Sequence, residues 1–191
     1  MTIADLEPFV SGNQGRMEKP WSQGEFTYAS DGFVVVRIPR LAEVPEITNP
    51  VNAVNIFNKN PKPSEGFIPL PTTEQLGELK VCPKCHGEAR EVCPECDGDG
   101  ELDLETDFNT YTVTCKSCCG DGEDCGECNG TGTIEPTPKV AIAGKRFTTA
   151  YIRKFMKLPN ARIAVHADPS RPSWIEFDGG DGLLMAVTEC R

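Results

Sequence analysis

The chain has 191 residues, a formal net charge of −10 and an apolar content of 38%, which is enough for one medium domain with a modest core and a small second one. The acidity is uneven. Residues 82–133 carry 13 acids and 3 bases, whereas residues 134–191 carry 9 bases and 6 acids, so the central stretch repels phosphate and any nucleic-acid contact falls to the later one. No apolar run is long enough to cross a membrane, and the first residues, MTIADLEPFV, lack the basic start and apolar run of a secretory leader. A cytoplasmic location is therefore expected, and with it reduced thiols.

In chain order, a short helix is expected at Thr2 to Val10, weakened by Pro8. Phe26 to Ser30 reads as a strand, Asp31-Gly32 as a turn, and Phe33 to Ile38 as the return strand. Residues 45 to 71 hold six prolines and read mostly as loop. One short helix fits inside it, capped by Asn49, with Pro50 in its first turn and Val51, Val54 and Phe57 on one side. Thr72 with Gln75 forms the pattern of a capping box leading into a helix over Glu74 to Lys80.

Four Cys-x-x-Cys pairs follow: Cys82/Cys85, Cys93/Cys96, Cys115/Cys118 and Cys125/Cys128. The last three continue into a Gly-x-Gly tail; the first has Ala89 in place of the second glycine. Two thiolates separated by two residues can hold one face of a tetrahedral zinc ion, and two such knuckles close a four-sulfur site. Eight ligands imply two zinc ions. The glycines supply positive-φ positions where the chain reverses. The spacing leaves three ways of pairing the four knuckles. Between repeats two and three, Glu101 to Thr114 reads as a hairpin, with Phe108 and Tyr111 as the candidate partner contact among few apolar residues (Val81, Val92, Leu102, Leu104, Val113).

This repeat resembles the cysteine-rich domain of DnaJ-type co-chaperones, over residues 81 to 133. The resemblance implies that the first and fourth repeats share one zinc, held by Cys82, Cys85, Cys125 and Cys128. The second and third would share the other, held by Cys93, Cys96, Cys115 and Cys118. The J domain of that family carries a His-Pro-Asp tripeptide; the nearest text here is His166-Ala-Asp.

After the module, Pro136 and Pro138 mark an exit linker. Val140 to Ala143 reads as a strand. Thr148 caps a helix with Tyr151, Ile152, Phe155 and Met156 on its apolar side and Arg153, Lys154 and Lys157 opposite. Arg162 to Ala167, Ser173 to Phe177 and Leu183 to Val187 read as a three-strand meander, with Asp178 to Gly182 as a turn. The strand, helix and meander, together with the hairpin from Tyr28 to Arg37, resemble a bacterial DNA sliding-clamp domain. The resemblance implies one discontinuous clamp-like body from residues 1–80 and 134–191, with oligomerisation possible. It also implies a DNA contact through Arg153, Lys154 and Lys157 in the basic 139–165 segment.

Other residues have plainer readings. Cys119 reads as a small residue beside a ligand, Cys190 as an unpaired thiol, and His166 as structural. His86 is not needed as a ligand, because the sulfurs already number eight. Asp97, Asp99, Asp178 and Asp181 lack the following Glu of a calcium loop, and Trp21 and Trp174 read as core. Neither histidine lies near a nucleophile motif, no phosphate loop is present, and closed four-sulfur sites leave zinc no open position, so no catalysis is expected. The fold class expected is α+β, an antiparallel-sheet, clamp-like body with an inserted, zinc-stapled β-hairpin domain. The function expected is non-catalytic binding of a protein partner through the module. The alternatives are binding of unfolded polypeptide, as in the DnaJ-type family, and a DNA-associated clamp relative in replication or of phage or mobile-element origin.

Overall fold

A computed structural model describes residues 1–11, 17–46, 52–91, 93–97, 99–117, 124–168 and 170–187. The chain divides into two compact units, a body of Met1–Leu76 with Thr137–Arg191 and a module of Gly77–Pro136. In chain order the elements are α1 (Ile3–Leu6), β1 (Trp21–Gln23), β2 (Phe26–Ser30), β3 (Val34–Pro39), α2 (Ala53–Lys59), β4 (Ile68–Pro69) and α3 (Thr73–Leu76). The module holds β5 (Lys80–Val81), β6 (Glu101–Glu105), β7 (Thr110–Thr114) and β8 (Thr133–Ile134). The body resumes with β9 (Lys139–Ile142), β10 (Lys145–Thr148), α4 (Thr149–Met156), β11 (Arg162–Ala164), β12 (Ser173–Phe177) and β13 (Gly180–Leu184).

The body is α+β. Its sheet runs β1-β2-β3-β13-β12-β11-β4 and every neighbouring pair is antiparallel. The two halves of the discontinuous body meet where β3 pairs with β13, Val35 opposite Leu183 and Arg37 opposite Asp181. One sheet face packs Ala29, Val34, Val36, Ile38, Ile163, Ile175, Phe177 and Leu184 against Leu6, Phe9, Phe147, Ile152 and Phe155. The other packs Tyr28, Val35, Trp174 and Leu183 against Trp21, Ala53 and Phe57. Both faces are covered, so Val34-Val35-Val36 is a continuous apolar run rather than an alternating one.

Several elements differ from the sequence expectation. The first helix closes after one turn, and Pro8 sits in a 3-10 turn, Glu7–Phe9. The second is capped by Asn52, whose side chain accepts from the Asn55 amide at 3.0 Å, and it buries Ala53 and Phe57 while Val54 is exposed; Asn49, Pro50 and Val51 lie outside the described residues. The capping box at Thr72 and Gln75 is present, with amide-to-side-chain distances of 2.9 and 3.4 Å. Its helix nonetheless ends at Leu76, because Gly77 turns left-handed at φ +77° and Lys80 and Val81 become a strand. Thr148 precedes α4 without a side-chain cap, since it closes a β9–β10 hairpin that the sequence did not announce. The last turn is shorter than expected. Gly180 already belongs to β13, and a Cβ there would lie 2.5 Å from both the Arg37 carbonyl oxygen and the Phe177 ring, a close approach only glycine permits.

Candidate metal centres

The module opens and closes on one short ladder, Lys80 opposite Ile134 and Val81 opposite Thr133, so the chain enters and leaves it side by side. Among the described residues, every buried hydrophobic side chain between Gly77 and Pro136 is a cysteine. They gather in two groups, Cys82, Cys85, Cys125 and Cys128 in one and Cys93, Cys96 and Cys115 in the other. Within each group all sulfurs lie within 4.8 Å of one another. Cys118 lies outside the described residues, as do Cys119, Cys190 and Val92. His86 is exposed and belongs to neither group.

The sulfur spacing states what the groups can hold. Cys82 and Cys125 Sγ are 3.8 Å apart, Cys85 and Cys128 Sγ 3.6 Å, and Cys93 and Cys115 Sγ 3.8 Å. A disulfide would require about 2.05 Å. A tetrahedral ion with metal–sulfur bonds of about 2.3 Å has sulfur–sulfur edges of about 3.8 Å. These separations match the edges of a metal-sized tetrahedron with the sulfurs at its corners, and each group could bind one ion.

The repeat in sequence is a repeat in backbone. The residue after each second cysteine is left-handed in the described repeats: His86 at φ 52°, Asp97 at 49° and Asn129 at 50°. Asp and Asn tolerate that region better than most side chains. The fourth residue after each second cysteine is left-handed too: Ala89 at φ 67°, Gly100 at 74° and Gly132 at 73°. That fourth residue works twice. Its amide donates to the sulfur of its own knuckle, Gly100 to Cys96 Sγ at 3.2 Å and Gly132 to Cys128 Sγ at 3.3 Å. Its carbonyl accepts from the first cysteine of the facing knuckle: Gly132 from Cys82 at 2.9 Å, Ala89 from Cys125 at 2.9 Å and Gly100 from Cys115 at 2.8 Å. Knuckle one therefore meets knuckle four reciprocally, and knuckle three meets knuckle two. Glu91 adds a tie across the first group, accepting from Lys84 and from the Gly126 amide.

These amides favour thiolate, the form that ligates metal. The backbone N–H groups of Glu95 and Cys96 hold the Cys93 thiol down at about 7. Burial raises Cys128, but the Gly132 amide and the neighbouring thiols bring it to about 7. Burial pushes Cys85 up to about 11, against the amides of Gly87 and Ala89. Sequence reasoning assigned the second glycine only a turn; its amide-to-sulfur bond was legible only as an unexplained fixed spacing.

Phe108 is 91% exposed and Tyr111 53%, both on the β6–β7 ribbon. In the body, Arg153 and Lys154 are half-buried and Lys157 is exposed. The Lys154 ammonium lies 4.9 Å from the Tyr151 ring centroid and 3.9 Å from Asp31. Burial pushes its pKa down, against the pull of Asp31. Trp21 and Trp174 are buried in the body, and Asp181 is a partner of Arg37. No helix among the described residues is long and apolar enough to cross a membrane.

No protein-family model matches the chain, and no curated protein matches it. Among solved structures it is similar to the Helicobacter pylori beta clamp bound to a DNA ligase peptide, with 9% identity and a TM-score of 0.35. The likeness covers 99% of this chain and 64% of that one, so the chain spans less than two thirds of the clamp's length. A score at this level does not define a shared fold.

Proposed function

We propose that the protein is a non-catalytic zinc protein that binds a protein partner through its cysteine-rich module. One observation carries the reading: the module's described buried core consists of cysteines, with Leu102 and Ile134 packed partly buried against them and its other larger apolar side chains at the surface. About sixty residues without an aliphatic core do not fold unaided, and metal ligation supplies the missing free energy. Zinc suits the donor set, because four thiolates in a closed tetrahedron are a common structural zinc site. Cys82, Cys85, Cys125 and Cys128 hold one ion, and Cys93, Cys96 and Cys115, with Cys118 as the fourth donor, hold the other. Each closed site carries two net negative charges and deepens the acidity of the module. Bound in this way, zinc fixes a surface and leaves no coordination position for a substrate.

Affinity capture from the native host tests the reading, using the intact protein beside a variant with Cys93, Cys96, Cys115 and Cys118 all changed to Ser. One defined partner, recovered only by the intact protein, supports it. A broad set of unfolded clients, with suppression of their aggregation, moves the function to chaperone-like binding. Equal recovery by both proteins removes the module from the function.

A further inference from the structure

The β6–β7 ribbon is a two-stranded sheet, and no described strand pairs with either of its outer edges. Its register puts Leu102 opposite Val113 and Leu104 opposite Tyr111 on one face. Glu101, Asp103 and Glu105 stand opposite Thr114, Thr112 and Thr110 on the other. Between Glu101 and Thr114 there are four acids and no base. Leu104 is 52% exposed, and only Leu102, at the root, packs against the Cys93, Cys96 and Cys115 cluster. The ribbon is thus anchored at a metal centre and amphipathic along its length.

The hydrogen-bond phase adds a second observation. Thr106 donates to Asn109 at 2.8 Å and Cys115 to Gly100 at 2.8 Å. In an antiparallel pair, bonded and non-bonded positions alternate. The bonded pairs are therefore Leu102 with Val113 and Leu104 with Tyr111. The amides and carbonyls of Glu101, Asp103 and Glu105 point outward along the free edge of β6. The three residues that offer backbone hydrogen bonds on that edge are the three acids.

We propose that the β6 edge is a docking site for an extended, basic and apolar polypeptide segment that adds as a third strand. Cross-strand neighbours share a face. An incoming Lys or Arg opposite Asp103 meets carboxylates, and the alternate residues extend the apolar face of Leu102 and Leu104. Main-chain bonds supply affinity and the alternation supplies selectivity. The inference rests on the proposed role of the module in protein binding, and it names the chemistry of the partner segment.

The test is amide-resolved NMR of the zinc-loaded full chain, titrated with a short synthetic peptide of alternating lysine and valine. Three further probes accompany it: the same peptide with glutamate for lysine, the same peptide N-methylated at alternate residues, and the protein variants Asp103→Asn and Asp103→Pro. The Asp103 amide points outward, so proline there costs the ribbon no ladder bond; zinc content and the spectrum of the other strands check folding. Expected are shifts confined to residues 101–105 and their partners, salt-sensitive binding, and no binding of the glutamate peptide. Asp103→Pro and the N-methylated peptide should each weaken binding by about tenfold or more, and Asp103→Asn by less. Equal binding of the N-methylated peptide overturns the proposal, as do shifts centred on Phe108 or on the body. Absence of peptide binding overturns the edge assignment too. It leaves the module's role in protein binding to stand or fall by the capture experiment, which does not use this peptide.

Discussion

The amide of Gly132 donates to the sulfur of Cys128 at 3.3 Å, while a Cβ on Gly132 would lie 2.4 Å from the carbonyl oxygen of Gly87. One glycine thus stabilises the thiolate at a candidate metal centre and lets the first and fourth knuckles touch. Gly132→Ala should weaken metal binding at that centre by about 10- to 100-fold, the usual scale for loss of an outer-sphere partner. A zinc titration against a competing chelator measures it. The second centre should keep its affinity.

Ala89 occupies the equivalent position in the first repeat at φ 67°. An L-residue there costs about 1 kcal/mol, which glycine avoids. Ala89→Gly should therefore stabilise the metal-loaded module by about 1 kcal/mol, read as a higher denaturant midpoint for the module transition. No shift, or a loss, would show that the alanine side chain contributes packing of its own.

Chelation, or Cys93→Ser, should unfold the module without melting the body, because the body has its own aliphatic and aromatic core on both sheet faces. Near-ultraviolet circular dichroism follows Trp21 and Trp174, both buried in the body. Their signal should persist while chelation removes both ions or Cys93→Ser releases one. A single transition that carries both would make the body depend on the metal.

Arg37 binds Asp181 through two contacts, at 2.6 and 3.2 Å, and its guanidinium carbon lies 3.9 Å from the Phe57 ring centroid and 4.6 Å from that of Phe26. The pair spans the β3–β13 join between the two halves of the body. With side chains 21% and 15% exposed, its loss is costlier than that of a surface pair. Arg37→Ala should destabilise the body by about 2–3 kcal/mol, measured by urea unfolding. A change below about 0.5 kcal/mol would place the join's stability in the strand pairing alone.

Tyr151 makes the body sensitive to alkaline pH. Its phenol is pushed well above its ordinary value by burial and then by Asp31, through a hydrogen bond and charge repulsion. The fold favours the neutral form. Its stabilising contribution is full below the ordinary tyrosine value of 10 and is lost as pH rises beyond it. Lys154 acts in the opposite sense: its lowered pKa is a penalty at neutral pH that is relieved as pH rises toward 10.5. Urea midpoints at pH 8 and pH 11 separate the two. Tyr151→Phe should flatten the alkaline loss, and Lys154→Met should steepen it.

The sequence by itself determined the donors and the local turns. Cys-x-x-Cys is a contact between near neighbours, and the hairpins at Asp31-Gly32 and at Glu101 to Thr114 follow from alternation and turn chemistry within a dozen residues. The tertiary structure alone decided how those pieces meet. Three pairings of four knuckles satisfy the same spacing, and the grouping follows from bonds such as Cys82 to Gly132, far apart in the chain. Burial likewise turned Lys154 from a basic helix face toward Tyr151 and Asp31. Folding paired Arg37 with Asp181 across 144 positions, and the left-handed turn at Gly77 ended the helix expected at Glu74 to Lys80 ahead of the β5–β8 ladder. Local propensity acts through bonded neighbours, whereas pairing, desolvation and charge partnership depend on residues that only the folded chain brings together.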